Sequence, residues 1–402
     1  MIIVDRELEE ARRGDPVGVA LFGAGFMGRG IAERVEATRG MRLVGVYRRG
    51  RDVGEFCAAP GTDVVVEATG SVEFGARVAL AAMAAGKHLV TASSELDCTL
   101  GPVLRLRASR AGVTMSGIDG DQPGVLMNLY RFVRGVGGRP LLCGNIKSFY
   151  DRYRDPTTQA GFAEKWGQSP RMITSFTDGT KMSMEQAVVA NATGMGVWRR
   201  GMLGPRVPAG THVRDVLDRY PLEELSRCRV GIVDYVVGAE PAPGVFVVAE
   251  HRDPSHRKSL EYYKMGPGPF YCYYTPYHLC HFEVPFTVAR VALFGDVAVD
   301  SIGPYVDVVS VAKRDLAPGV VLDGIGGYHL YGVCEDCGEV AAGGLLPIGL
   351  AEGCVLKHSV PKDELLTYGD VEVPGGRLCD ELRAEQDAHF SIYSERKEVM
   401  DG

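Results

Sequence analysis

The stretch VALFGAGFMGRG, residues 19–30, decides the first half of this chain. Apolar residues run into a turn with glycines at 23, 25 and 28, and the turn runs into a helical pattern. In G-x-G-x-x-G the first glycine allows a tight turn, the second lets backbone approach a pyrophosphate, and the third lets helix and strand pack closely. Free N–H groups at the helix start favour the phosphate charge. Lying between a strand and a helix, Gly23, Gly25 and Gly28, with Phe26 and Met27 between them, are therefore read as a dinucleotide-binding turn.

Working outward, Val17–Phe22 is a buried-type strand, and residues 29–38 form a helix. Strands follow at Met41–Tyr47 (MRLVGVY), Thr62–Gly70 (TDVVVEATG) and Lys87–Ser93 (KHLVTAS), with helices at 73–86 and 100–112. Residues 5–14 read as a short surface helix. Alternation of this kind predicts βαβ units around a parallel sheet. Beyond about residue 125 the rhythm changes to long loops, aromatic clusters and strand runs such as VGIVDYVVG and PGVFVVAEH, which predict a mixed or antiparallel sheet. EVPFTVARVALFG, 283–295, reads as a helix returning to the first domain, and from about residue 311 short strands and turns predict a compact, mostly β unit. The expected architecture is α/β: a doubly wound Rossmann domain (1–128), an α+β catalytic or dimerisation domain (129–310) and a small β-rich domain (311–402).

Composition narrows the function classes. The chain has 402 residues, with 46% hydrophobic and 24% charged, as in globular domains. A net charge of −7 argues against nucleic acid and anionic membranes as partners. No run of about 18 apolar residues is present, and the amphipathic N-terminus lacks the apolar core of a signal peptide. The ten scattered cysteines suit reduced thiols in the cytoplasm.

The end of the second strand selects the cofactor. An acid there would hold the ribose hydroxyl of NAD, but the chain carries YRRGR, with Arg48 and Arg49, which suit the 2′-phosphate of NADP(H). Ala68, Thr69 and Gly70, at the end of the third strand, leave room for the nicotinamide half. Hydride transfer to a carbonyl leaves an alkoxide that needs a proton or a positive charge. The densest supply is DGTKMSMEQAVVANATG, where Asp178, Lys181 and Glu185 stand three and four residues apart, the latter two on one helix face. Lys147, in CGNIKSFYDRY, is the second lysine candidate. Asn191 is a candidate for a substrate hydroxyl or for the helix end. In MGPGPFYCYYTPYHL, glycine backbone suits a phosphate and His278 suits an acid or phosphate ligand, with Glu283 placed to hold the ring. Cys334, Cys337, Cys354 and His358 have a zinc-like spacing set in core-like surroundings, and Asp119 and Asp121 form an acidic turn; no metal is assigned to either set, and a divalent ion remains an alternative.

GAGFMGRGI, VVVEATG and AGKHLVTAS are similar to the homoserine dehydrogenase nucleotide-binding domain. DGTKMSMEQAVVANATG, YKMGPGPFYCYYTPYHL and EVPFTVARVALFG resemble a subgroup with a C-terminal SAF-type domain, the 1-deoxy-D-xylulose 5-phosphate reductoisomerase-like oxidoreductases. The tail, VAKRDLAPGVVLD to LLTYGDVE, resembles the SAF domain itself. Ser94 stands where homoserine dehydrogenases carry a lysine, so a substrate other than homoserine is expected. The resemblance implies NADPH-dependent reduction of a small polyhydroxylated or phosphorylated carbonyl compound in a homodimer or homotetramer. Coupled isomerisation of a sugar phosphate on a divalent ion is one alternative, and a non-catalytic dinucleotide and sugar-acid sensor is another.

Overall fold

A computed structural model describes residues 3–10 and 14–390. The first sheet is parallel throughout, in the order β2-β1-β3-β4-β5. Its strands are β1 Val17–Phe22, β2 Met41–Val46, β3 Val64–Glu67, β4 His88–Thr91 and β5 Met115–Gly117. Around them lie α1 Ile3–Glu10, α2 Phe26–Ala37, α3 Val53–Cys57, α4 Val72–Ala84 and α5 Ser94–Arg110. Residues 11–13, the end of the expected first helix, fall outside the described residues. Two helices start earlier than the sequence suggests. Helix α2 begins inside the glycine motif at Phe26, and α5 begins at Ser94, where Ser93 ends the β4 turn.

The strand order reverses between β1 and β3, and ligands of such sheets bind outside the carboxyl ends of the strands at that point. The chain then passes through α6 Gln122–Gly135 into a mixed second sheet, order β10-β9-β6-β8-β7. Its strands are β6 Arg139–Lys147, β7 Arg206–His212, β8 Ile232–Glu240, β9 Gly244–Glu250 and β10 Phe270–Thr275. Helices α7 Pro156–Trp166, α8 Pro170–Thr177 and α9 Thr180–Thr193 follow β6, with α10 Leu222–Arg227 and α11 Pro254–Tyr262 later. Helix α12, Val284–Phe294, returns to the first sheet as the sequence suggests: Val284, Val288 and Val291 share a core with Ile31, Val35 and Val90.

Glycines in left-handed conformations bound α9, Gly179 at φ +86° and Gly194 at φ +76°. Every residue from Thr180 to Asn191 is buried, so its polar side chains must find partners inside the protein. One flank of α9 meets the last part of the chain, β11 Val306–Ala312 and β12 Leu330–Asp336, followed by α13 Cys337–Gly343 and α14 Leu378–Phe390. The hydroxyl of Thr180 accepts from Gly332 N at 2.9 Å, and Ser183 Oγ donates to Gly332 O at 3.2 Å.

The boundary expected near residue 310 falls inside β11; Val309, Val340 and Leu345 form a small cluster of the tail's own, and the rest of the tail also packs on α9. Met182, Met184 and Val188 of α9 pack in one cluster with Val308, Leu330, Cys334 and Ile348. Helix α14 turns back to α5, where Gln386 caps the amide of Val103 at 3.2 Å. A chain ended at Val309 would bare this apolar flank. It is expected to lose the cooperative thermal transition of the whole chain, read by circular dichroism; a cooperative melt at the parent temperature would show the tail to be an appendage.

Candidate active site

The glycine turn has the shape that its sequence demands. Gly23 sits at φ +124°, and a Cβ there would stand 2.4 Å from the Ala68 carbonyl oxygen. A Cβ on Gly28 would stand 1.8 Å from the Gly23 carbonyl oxygen, so only glycine lets α2 approach β1. Gly25, the N-cap of α2, has nothing within 4 Å of the place its Cβ would take. The Phe26, Met27 and Gly28 amides form the first turn behind that open face, where a helix end favours an anion. The turn therefore fits a pyrophosphate.

At the end of β2, Arg48 and Arg49 are exposed. The nearest acid in sequence, Asp52, is committed to capping α3, accepting from Glu55 N at 2.8 Å. At the strand end itself the chain thus places arginines where NAD binding would place an acid. The turn after β3 is held from below by a buried carboxylate that sequence reasoning missed. Glu67 accepts from Thr69 N at 2.7 Å, Thr69 Oγ1 at 2.5 Å and Thr91 Oγ1 at 2.8 Å. Gly70 N donates to Ser93 Oγ at 3.0 Å, joining the turns after β3 and β4. Ala68, Thr69 and Gly70 thus form a braced edge of the crevice. Met172 of α8 comes within contact reach of Gly70 from above, as a Cβ there would lie 3.6 Å from its methyl group.

Facing these turns is a cluster of charges. Lys181 Nζ donates to both oxygens of Glu95 at 2.9 Å, with both side chains buried. Burial opposes the lysine's charge, yet Glu95, with Asp121 and Glu185 behind it, outweighs that cost and raises the Lys181 pKa above the usual lysine value. Lys181 is thus held charged at neutral pH. Its partner is Glu95 on α5, not Glu185 as the helical spacing suggests. Glu185 Oε2 instead accepts from Asn145 Nδ2 at 3.2 Å and stands 3.9 Å from Lys147 Nζ. Burial pushes the Glu185 carboxyl up to about 7, against the pull of Lys147. Lys147 Nζ also donates to Gln122 Oε1 at 3.2 Å, which accepts from Asn145 Nδ2 at 2.6 Å.

His278 belongs to the same neighbourhood. Burial lowers its pKa, Lys147 lowers it further and Asp121 opposes both, so the ring is neutral at pH 7. Glu283 does not hold this ring; its own carboxyl is raised by burial and by Asp119. The glycine-rich turn before β10 and His278 after it stand at opposite ends of that strand. Asp178 also leaves the cluster. Its carboxylate pairs with Lys313 of the tail at 2.9 Å and accepts from Thr180 N at 2.9 Å. Asn191 Oδ1 accepts from Tyr305 N at 2.7 Å and Val306 N at 3.0 Å, a link to β11 in place of a substrate contact or a helix cap.

Asp119 is consumed by Thr287, Asn128 and Arg290, at 2.8, 2.9 and 2.6 Å. Cys354 and Cys334 point into the core, their thiols on the Leu350 and Ser183 carbonyls. Among the described residues no three or more His, Cys, Asp or Glu side chains are gathered to hold a metal.

Four buried polar atoms around the charge cluster have no hydrogen-bond partner among the described residues: Ser94 Oγ, Gln122 Nε2, Asn145 Oδ1 and His278 Nδ1. Such atoms are costly unless a ligand or water meets them. Sequence reasoning missed Glu95, Gln122 and Asn145. Glu95 and Gln122 open helices directly after β4 and β5, where ligands of these sheets bind, and that position was the available signal.

The crevice thus has a glycine turn that fits a pyrophosphate and a lysine that is held charged. Residues 120–284 match the family described as oxidoreductase DRL, catalytic domain, a stretch that includes Asp121, Lys147, Lys181, Glu185 and His278 but not Glu95. Comparison with curated proteins gives no match. Among solved structures, the chain is similar to biliverdin reductase from Synechocystis sp. PCC 6803 in complex with biliverdin and NADP+, with 21% identity over 34% of this chain and 48% of that one (TM-score 0.27). It is also similar to an NAD binding oxidoreductase from Klebsiella pneumoniae, with 20% identity over 36% and 48% (TM-score 0.28). A third is S. aureus homoserine dehydrogenase, with 21% identity over 26% and 33% (TM-score 0.22). The chain spans less than half of the length of each of the three. No described helix is long and apolar enough to cross a membrane.

Proposed function

We propose that this chain is an NADPH-dependent reductase of a small polyhydroxylated or phosphorylated carbonyl compound, working in either direction. The observation that carries the reading is the buried Lys181–Glu95 pair beside a carboxyl, Glu185, whose pKa stands at about 7. A fixed positive charge and a transferable proton are what a carbonyl oxygen needs as it becomes an alkoxide. When bound, the cofactor supplies the hydride.

Gly23, Gly25 and Gly28, with the amides of Phe26 and Met27, would hold its pyrophosphate, Arg48 and Arg49 its 2′-phosphate, and Ala68, Thr69 and Gly70 the edge of its nicotinamide half. Lys181 has three N–H donors, and Glu95 engages it through two contacts, so a donor remains for the substrate oxygen. Glu185 in its protonated form gives that oxygen its proton and, once ionised, is met by Lys147. Gln122, Asn145, Ser94 and the neutral His278 offer unpaired polar atoms to the substrate's hydroxyls. A site built to pair such groups rejects analogues that lack them.

Cofactor choice gives a direct test. Arg48→Ala with Arg49→Ala is expected to weaken NADPH binding by about 2–4 kcal/mol while NADH binding hardly changes. Calorimetric titration with both cofactors measures it; equal losses for the two would remove the 2′-phosphate assignment.

A further inference from the structure

A cavity of about 950 Å³ opens beside β12, and no residue of α9 lines it. Tyr331 and Val333 of β12 form part of its wall, on either side of the Gly332 that bonds Thr180 and Ser183. The rest comes from the loop after β6 (149–153), the loop before and into β7 (199–204 and Arg206), Tyr235 of β8, Val311 of β11 and residues 363–365 of the tail. Four arginines line it: Arg152, Arg199, Arg200 and Arg206. Arg200 is paired with Glu335. Arg152 and Arg206 have no carboxylate within ion-pair distance among the described residues, and Arg199 is near enough to the Asp234 carboxylate to favour its charge.

Their donors are spent on weak neutral groups. Arg152 reaches the Tyr331 hydroxyl at 3.4 Å, Arg206 reaches the Tyr150 carbonyl at 2.9 Å, and Arg199 reaches the Met202 and Leu203 carbonyls at 3.2 and 3.3 Å. Arg152 and Arg206 both lie over the ring of Tyr150, at 6.0 and 5.7 Å from its centroid. The acids of the wall are occupied or turned to water. Asp151 pairs with Arg154 at 3.1 Å, Asp363 accepts from the Tyr153 and Tyr331 hydroxyls, and Glu364 is exposed.

The 199–206 loop is also held in place. Asp234 accepts from Leu203 N and Gly204 N, both at 2.8 Å, and Met202 is kept at φ +67°, a conformation that side-chain-bearing residues rarely adopt. Guanidiniums gathered on one cavity repel one another unless an anion lies between them, and their planar forks match oxyanions.

We propose that this cavity is a second binding site, for a compact anion whose phosphate group is taken by Arg152, Arg199 and Arg206. It is separate from the reactive crevice and stands whether or not the reduction proposed above is correct.

Equilibrium dialysis of the full chain with radiolabelled inorganic phosphate at fixed ionic strength tests it. Arg48→Ala/Arg49→Ala removes the other arginine pair able to take phosphate and is expected to keep this binding. Arg152→Gln/Arg206→Gln is expected to weaken it about tenfold or more. Unchanged phosphate binding in Arg152→Gln/Arg206→Gln, or its complete loss in Arg48→Ala/Arg49→Ala, would overturn the proposal. Should circular dichroism show the Arg152→Gln/Arg206→Gln chain unfolded, Arg206→Gln alone carries the test. Arg206 is exposed at the cavity rim, so a folded variant with undiminished phosphate binding overturns the site equally.

Discussion

Lys181→Ala is expected to lower kcat by about 10² to 10³, the usual loss when one preorganised donor to a developing oxyanion is removed. NADPH binding should stay within about twofold, since the glycine turn and Arg48 and Arg49 are untouched. The same variant should unfold more easily, by about 3–5 kcal/mol, because Glu95 is left buried without its partner. The two losses have separate causes and can be separated. Lys181→Met with Glu95→Gln removes both charges from the joint and is expected to recover most of the stability, as neutral replacements of buried ion pairs often do. It should recover none of the activity. Chemical denaturation and single-turnover NADPH oxidation, run on the parent and both variants, measure the two effects. Activity that returns together with stability would make Lys181 a structural residue, and the search for the electrophile would move to Lys147.

Glu185→Gln is expected to lower kcat for reduction by about 10² to 10⁴, the range of general acid catalysis. In the parent, reduction should fall as pH rises through about 7, because the proton that Glu185 gives is lost there. In Glu185→Gln that alkaline limb should vanish from the pH profile. Stability carries the same signature. A carboxyl raised by burial binds its proton more tightly folded than unfolded, so the folded state loses ground as pH rises from the ordinary carboxylate range to about 7. Above that range the loss is complete and the group adds no further slope. Denaturation midpoints of parent and Glu185→Gln across pH 4–8 measure this, and parallel curves would show that Glu185 titrates in the ordinary range.

The first sheet was legible because its signals are local. A strand, a glycine turn and a helix follow one another in VALFGAGFMGRG, and the structure gives Gly23 and Gly28 a steric reason. The returning helix at 284–294 was legible too, from its apolar run between Glu283 and Gly295. The charge cluster was only half legible. Helical spacing placed Lys181 and Glu185 near one another, but it cannot show that Glu95, 86 residues earlier, is the acid that reaches Lys181. The same blindness misplaced Asp178, whose partner Lys313 lies 135 residues later. The tail reads as a unit because its short strands and turns look self-contained, and it does hold a small cluster of its own. What the sequence cannot display is that the apolar side of these strands is completed by α9. Gln122 directly follows the acidic turn and Asn145 is a single polar residue in an apolar strand, and only the fold makes them neighbours.

Glu95 stands on α5 beside the first sheet and Lys181 on α9 over the second, so their ion pair is also a latch across the joint. Any hinge motion that parts the two bodies must pull these charges apart and let water in. Closing again squeezes that water out and rebuilds the pair. A substrate oxygen that takes the remaining N–H of Lys181 adds a bond to the shut form without competing with Glu95. The molecule it has bound then helps to hold the door.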